Sequence, residues 1–342
     1  MESAVKSRLQ SVQFGEAQTY MNIAILPLIA PADGAFQYRT LGEALATWDI
    51  AITEVSAGGS VPDLMVVNRG NKCVLLIDGE ELAGAKQNRV LNTSILIKEV
   101  SETKVPVSCT EQGRWSYASK AFSESGNVMA RKSRARKTRS VQCSLEQSGV
   151  HESNQSEVWH GIAELQAQAC APSPTSAMSD VYKAREADLR QCDDIFKPVP
   201  GQVGLIAVID GQPVGMDLLS LTSAYAKLHT KLVRSYTLEG LLDAPPSPPR
   251  GEGKGEVAPG SALRTPNSEL AKAFLAEIAA AEERQFPSVG HGTDHRYKGK
   301  VLAGTALVHE NEVIHAAFFR LDDNEQPERM ASYRARRRHT YE

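Results

Sequence analysis

The sequence predicts an α+β fold: an N-terminal antiparallel, β-rich, sandwich-like half, a helical middle and a C-terminal α+β half. Three observations predict it. Short strand-favouring runs separated by polar turns crowd residues 20–115. Helix formers then replace the strand signal over 116–197. Over 198–321 two apolar runs flank an Asp210-Gly211 turn signal, and an Ala-rich helix and a closing hairpin follow. These three stretches are the expected domains, in a chain of 342 residues, long enough for two domains or one large one.

Met1 to Gln18 is polar and weakly patterned and reads as a loose lead-in. Asn22 to Ile29 and Ile50 to Val55 read as strands, with a short helix at Leu41 to Thr47 capped by Thr40 between them. Leu64 to Asn68 and Cys73 to Ile77 flank Arg69-Gly70-Asn71-Lys72, whose Gly and Asn suit a tight hairpin. Ser94 to Val100 and Lys104 to Cys109 form a second such pair. In the middle, Glu157 to Ala169 and Val181 to Ile195 have helical apolar spacing. Gly204 to Ile209 and Pro213 to Leu219 are strands, and Leu221 to Leu242 is a helix. Pro245 to Pro259 is low in complexity and predicts a surface loop. Ser268 to Arg284 predicts a helix, and Lys298 to His309 with Glu312 to Leu321 a hairpin; from Asp322 onward the text is polar, then basic.

The formal charge of −3 argues against a nucleic-acid partner. The run from Arg131 to Arg139 holds six basic residues in nine, and Arg334 to Arg338 is also basic, but no aromatic residues interleave to stack bases. Both read as solvated segments. No apolar run approaches membrane-spanning length, and no basic region leads an apolar core, so neither a membrane location nor a secretory signal is expected. Five widely spaced cysteines fit reduced thiols in the cytoplasm. The eight histidines fall at no ligand spacing near a cysteine, and no metal site is expected. His291 to His295 holds two histidines four apart, but Pro287, Gly290 and Gly292 make it a surface loop and not a helix face. Phosphate loops of the two common types, Gly-x-Ser-x-Gly and His-Glu-x-x-His are missing, which argues against an ordinary nucleoside triphosphatase, serine hydrolase or zinc protease.

Two polar blocks stand out. Glu80, Glu81, Lys86, Gln87, Asn88, Arg89 and Asn92 lie within thirteen positions after a strand. Cys109, Glu111, Gln112 and Arg114 end a later one. If the intervening strands pair, both blocks meet at one rim of the sheet, where sites usually sit. Arg89 and Arg114 offer planar forks for a phosphate or carboxylate. Glu80, Glu81 and Glu111 suit acid/base work or a divalent cation. Lys86 beside Cys109 would favour a nucleophilic thiolate, although a strand-end cysteine is more often a small buried hydrophobe. The plainer alternative is a buried hydrogen-bond network that knits loops together. Asp217, Lys231, Arg234 and Tyr236 are weaker candidates, the last two as groups that cap a helix end.

Asp78-Gly79-Glu80-Glu81-Leu82 with Gly84 to Arg89 and Asn92, then Pro106 to Cys109 with Glu111 to Trp115, resembles the bacterial ADP-ribosylglycohydrolase- and rhodanese-phosphatase-associated domain family. Gly201 to Gly204 and Lys231 to Leu238 look like its second half, and the resemblance covers roughly Tyr20 to Arg320. It implies binding or processing of an ADP-ribose-like, NAD-derived phosphorylated metabolite. On that reading Glu80, Glu81, Lys86, Cys109 and Glu111 would be catalytic, and Gln87, Asn88, Arg89, Asn92, Gln112 and Arg114 would hold the ligand. Neither a cofactor nor an oligomeric state follows from the residues. The rival expectation is a non-catalytic interaction module.

Overall fold

The computed structural model describes residues 4–56, 58, 61–243 and 268–321. The low-complexity stretch 245–259, the polar segment from Asp322 and the basic run 334–338 lie outside them. The described elements begin with α1 (Ala4–Ser11), β1 (Gln13–Phe14), β2 (Gln18–Tyr20), β3 (Ile23–Ile29), β4 (Arg39–Thr40), α2 (Leu41–Ala46), β5 (Ile50–Glu54) and β6 (Asp63–Asn68). Then come β7 (Val74–Leu76), β8 (Glu80–Gly84), β9 (Arg89–Leu91), β10 (Ile95–Ile97), β11 (Ser101–Cys109) and β12 (Phe122–Val128). Four helices follow: α3 (Arg131–Ser148), α4 (Gln155–Ala169), α5 (Met178–Ala184) and α6 (Glu186–Ile195). The chain continues through β13 (Gln202–Ile209), β14 (Gln212–Leu219), α7 (Thr222–Asp243) and α8 (Ser268–Ala279). It closes with β15 (Glu282–Pro287), β16 (Thr293–Lys298), β17 (Leu302–His309) and β18 (Glu312–Arg320). This is an α+β protein with a β-rich N-terminal part. Among the described residues no helix is long and apolar enough to cross a membrane.

The largest sheet has nine strands in the order β1-β3-β13-β14-β18-β17-β16-β15, with β2 also paired to β3. Its central strands are covered on both faces, and the alternation of side chains shows how. Ile23, Ile25, Leu205 and Ala207 face a core with Ala135, Leu228, Leu232 and Tyr236 from α3 and α7. Their neighbours Ala24, Leu26, Ile206 and Val208 face the opposite way, onto Val5 and Leu9 of α1 and Phe274 and Ile278 of α8. A strand buried on both faces reads as a continuous apolar run, which is what β13 is. The other sheets run β10-β7-β4 and β12-β8-β9-β11-β6-β5. They share a third core that includes Leu64, Val66, Leu76, Leu82, Leu91 and Val107.

Local readings hold where the signal is local. Thr40 caps α2 through a full capping box: its side chain accepts from the Glu43 N–H, and the Glu43 carboxylate accepts from the Thr40 N–H. The β13–β14 hairpin turns at Asp210-Gly211, with φ of +50° and +74° there. Pairings that depend on distant partners differ from expectation. The runs around Arg69 to Lys72 do not pair with each other: β6 joins β5 and β11, whereas β7 joins β10 and β4. The second expected hairpin also separates, with β10 on β7 and β11 between β6 and β9. The lead-in carries a helix and a short strand, since Val5, Leu9 and Val12 are buried against the large sheet. Phe122–Val128 is a strand inside the stretch read as helical, and Arg284 lies in β15 and not in α8.

The basic run is the clearest correction. Arg131 to Arg139 is the first half of α3, not a solvated linker. Arg131, Arg134 and Lys137, three apart, face inward and are buried, while Lys132, Arg136 and Arg139 stay partly exposed. Each inward cation meets a buried carboxylate: Arg131 meets Glu239, Arg134 meets Asp78 and Asp217, and Lys137 meets Asp78.

Candidate functional site

The two polar blocks do converge, through the register of three strands. Leu82 pairs with Arg89 across the β8–β9 hairpin, and Arg89 pairs with Cys109 of β11 on its other side. The turn from Gly84 to Asn88 therefore lies beside the segment that follows Cys109. Gly84 has φ +126°, and a Cβ there would meet Ala121 O at 2.9 Å, so this turn suits glycine. Arg114 ties the two together. Its Nη1 donates to Ala85 O at 2.7 Å and Ser116 O at 2.9 Å, and its Nη2 to Asn88 Oδ1 at 3.1 Å. Glu111 Oε2 accepts from Arg114 Nε at 2.8 Å and Nη2 at 2.5 Å, and from the Asn88 N–H at 3.2 Å. Its other oxygen accepts from Thr175 Oγ1 at 2.9 Å. Burial alone would raise this carboxyl, but the bonds from Arg114, Thr175 and Asn88 outweigh it and hold it below the usual carboxylate range.

Arg89 differs. Its side chain is fully buried, yet among the described residues only Nη1 finds hydrogen-bond acceptors, Gln87 Oε1 at 3.1 Å and Asn88 O at 3.4 Å. Among the described residues Nε and Nη2 have no hydrogen-bond partner, and the Glu54 carboxylate stands off at 3.9 Å. Trp115 covers the guanidinium, 5.8 Å from ring centre to Cζ. Trp115 and Tyr117 are about half exposed, and Lys86 Nζ sits 5.2 Å from each ring while donating to Gly58 O. Gln112 is exposed and its carbonyl accepts from Gln87 at 3.4 Å. Gln155 pins the Cys109 backbone at both N–H and C=O. Burial pushes the Cys109 thiol up, with partial relief from Arg89, so the thiolate that Lys86 was expected to favour is not favoured here.

Three expected site residues go elsewhere. Glu80 is sealed in an ion pair with Lys231, which also holds Glu124. Burial lifts the Glu80 carboxyl, and the two carboxylates lift the Lys231 ammonium despite its burial. Both shifts mean that the folded cluster holds its protons more tightly. Glu81 accepts from Thr110 Oγ1 at 2.9 Å and Asn127 Nδ2 at 3.4 Å, and burial raises it too. Asn92 accepts from Ser108 Oγ and donates to His151 O.

Sequence reasoning named Asp217 and Tyr236 only as weaker candidates and did not see the two buried polar networks that the fold assembles. In the first, Asp217 accepts from Arg134 Nη1 and Nη2 at 2.9 and 2.8 Å, from Tyr236 OH at 2.7 Å, and meets His315 Nε2 at 3.1 Å. His315 Nδ1 meets Ser94 Oγ at 2.6 Å, and Ser94 accepts from the Asp78 N–H. In the second, Asp294 meets Arg296 Nη2 at 2.6 Å, His151 Nε2 at 2.9 Å and Thr93 Oγ1 at 3.1 Å. Asp294 and His295 thus belong to a strand, not to a surface loop. Tyr236 and Arg234 lie inside α7, where Arg234 pairs with Asp193 and Glu186 of α6 instead of capping a helix end. The signal that could have found Arg134 was the three-residue spacing of inward cations on a helix.

These networks set an acid limit. Burial pushes Asp217 and Asp294 up, but Arg134 with His315, and Arg296 with His151, more than compensate, holding Asp217 well below the usual range and Asp294 at about 2. A carboxylate depressed in the fold contributes stability that is fully present above its unfolded value of about 3.9 and is lost as pH falls through its folded value. Urea midpoints of the wild-type chain should therefore fall between about pH 4 and pH 2. Asp294→Asn should flatten that slope; identical slopes for the two proteins would contradict the assignment.

Fold and site define an α+β protein with a polar rim on one sheet, a buried arginine beneath exposed aromatic rings and a separate ionic core. Residues 11–319 match the family model described as the ARG and Rhodanese-Phosphatase-superfamily-associated Protein domain. The chain belongs to that family. Comparison with curated proteins and with solved structures finds no match.

Proposed function

We propose that this chain binds an ADP-ribose-like, NAD-derived phosphorylated metabolite in the cytoplasm, at the rim formed by Lys86, Arg89, Trp115 and Tyr117. The observation that carries this reading is Arg89, a buried guanidinium with two N–H-bearing nitrogens that lack acceptors among the described residues. Leaving such donors unpaired is costly, and an anion reaching them would relieve that cost. The neighbouring rings add a second feature. Half-exposed Trp115 and Tyr117 offer faces for a nucleobase, with Lys86 placed for a phosphate. Trp115 lies over Arg89, so ligand entry requires this indole to move aside. Membership in a family described by its association with ARG and rhodanese-phosphatase proteins agrees with a metabolite of this class. The reading is of binding first. Glu80 and Glu81 are sealed, Glu111 is engaged by Arg114 and the Cys109 thiol is buried, which leaves Lys86 as the accessible reactive group of the proposed set.

A second reading has one observation in its favour. Arg114 spends its guanidinium on Glu111, Asn88 and three backbone carbonyls, as expected of a structural latch in a non-catalytic module. Calorimetry and thermal shift with ADP-ribose, NAD and ADP separate the two. A ligand bound only by the folded chain at 100 times its Kd adds about 2.7 kcal/mol and raises Tm. Lys86→Ala and Trp115→Ala should abolish the shift while leaving the ligand-free Tm close to wild type. No shift with any of the three on folded wild-type protein would leave the structural reading standing.

A further inference from the structure

Sequence spacing places no histidine near a cysteine, but the fold does. Cys73 precedes β7, Glu99 follows β10 and His291 precedes β16, and their ligand atoms all lie within 4.8 Å of one another. Cys73 Sγ donates to Glu99 Oε2 at 3.0 Å, and His291 Nε2 stands 3.7 Å from that oxygen. Donors about 2.0–2.3 Å from a tetrahedral ion lie roughly 3.3–3.8 Å apart, so the two separations from Glu99 Oε2 need only small adjustment.

The three donors are held by backbone, not by chance side-chain contact. The His291 N–H donates to Leu96 O at 2.8 Å. Gly290 lets the chain come that close, since a Cβ there would lie 2.1 Å from Leu96 O. Cys73 O accepts from the Arg39 N–H, and the Val100 N–H donates to Gly70 O, which fixes the turn carrying Glu99. The His291 ring packs on His309 at 4.8 Å, and His309 packs edge-on against Phe36 at 4.7 Å. Cys73 is buried, while Glu99 and His291 reach solvent, which gives an ion a way in.

We propose that Cys73, Glu99 and His291 bind one Zn²⁺ ion. Thiolate, imidazole and carboxylate together match zinc and disfavour Mg²⁺ or Ca²⁺, which prefer oxygen donors alone. Binding replaces the Sγ–H bond with an S–Zn bond and releases the proton to solvent. Three protein donors leave a fourth position open to water. The ion would staple the β10-β7-β4 sheet to the loop before β16, where Leu96 already bridges to His291. This assignment shares no residue with the proposed metabolite rim and does not depend on it.

The test uses the full chain stripped of metal by chelation, with Zn²⁺ and Co²⁺ as probes. Elemental analysis after dialysis should give one Zn²⁺ per chain, with a raised Tm. Co²⁺ should produce a thiolate charge-transfer band. Cys73→Ser and His291→Asn should each weaken binding by about 100-fold, the upper end of what losing even an outer partner costs. Cys170→Ser, at an exposed cysteine, should bind as wild type. Zn²⁺ should also shield Cys73 from alkylation in the wild-type chain, a readout that needs no variant to fold. Absence of stoichiometric binding, a Co²⁺ spectrum without thiolate character, or loss of binding in Cys170→Ser alone would overturn the assignment.

Discussion

Arg134→Met should destabilise the fold by about 3–5 kcal/mol, the loss expected when one partner of a buried ion pair is removed. Arg134 is fully buried, donates to both oxygens of Asp217 and to Asp78, and stacks on Phe319 with its Cζ 4.7 Å from the ring centre. Methionine keeps much of the volume and none of the charge. Asp217 would retain Tyr236 and His315 but lose the cation that holds it ionised. Urea unfolding of Arg134→Met, Asp217→Asn and the double variant completes a cycle. The double variant should lose clearly less than the sum of the single losses, because its Asn no longer needs a counter-charge. Additive losses would mean that the two side chains act independently.

Lys231→Met should cost about 3 kcal/mol near neutral pH, with a distinctive pH dependence. Lys231 is the cation for Glu80, which is fully buried, and for Glu124, which is partly exposed. Without it, burial raises Glu80 further above its unfolded value. A carboxyl raised in the fold contributes stability that is fully present below its unfolded value and is lost as pH rises from there toward its folded value. The loss should therefore shrink as pH falls from 7 toward 5 (roughly the span above an ordinary Glu). Lys231→Met with Glu80→Gln should lose much of the pH dependence. A pH-independent loss in the single variant would point to packing instead of charge.

How much of this was legible in the sequence depends on how far each cause lay along the chain. The Thr40 cap and the Asp210-Gly211 turn are set by residues within a few positions, and both were readable. The rim was readable because Arg89 and Cys109 sit on strands close in sequence that pair directly. Strand partners were not. Turn chemistry at Arg69 to Lys72 permits a hairpin, but β6 and β7 each find a better-matched neighbour elsewhere. Charge burial was hidden for the same reason. Arg134 looks like a solvated cation until Asp217, 83 positions later, is brought against it. Asp78, Asp294, Arg296 and His315 carry no local mark that distinguishes them from surface groups. Glu80 and Glu81 show the converse error: adjacency suggested a shared role, whereas neighbours on a strand point to opposite faces.

The order of the nine-stranded sheet bears on how the chain is made. Strand β3 waits for β13, and β14 has β18 as its other neighbour. While synthesis proceeds from the N-terminus, Ile23 to Ile29 therefore emerges with only the short β1 and β2 to pair with, and its other edge stays unpaired until β13 exists. The scaffold can close only after residue 320 clears the ribosome. This chain is thus expected to lean on holding chaperones during translation, and truncations before β18 should be recovered as aggregates.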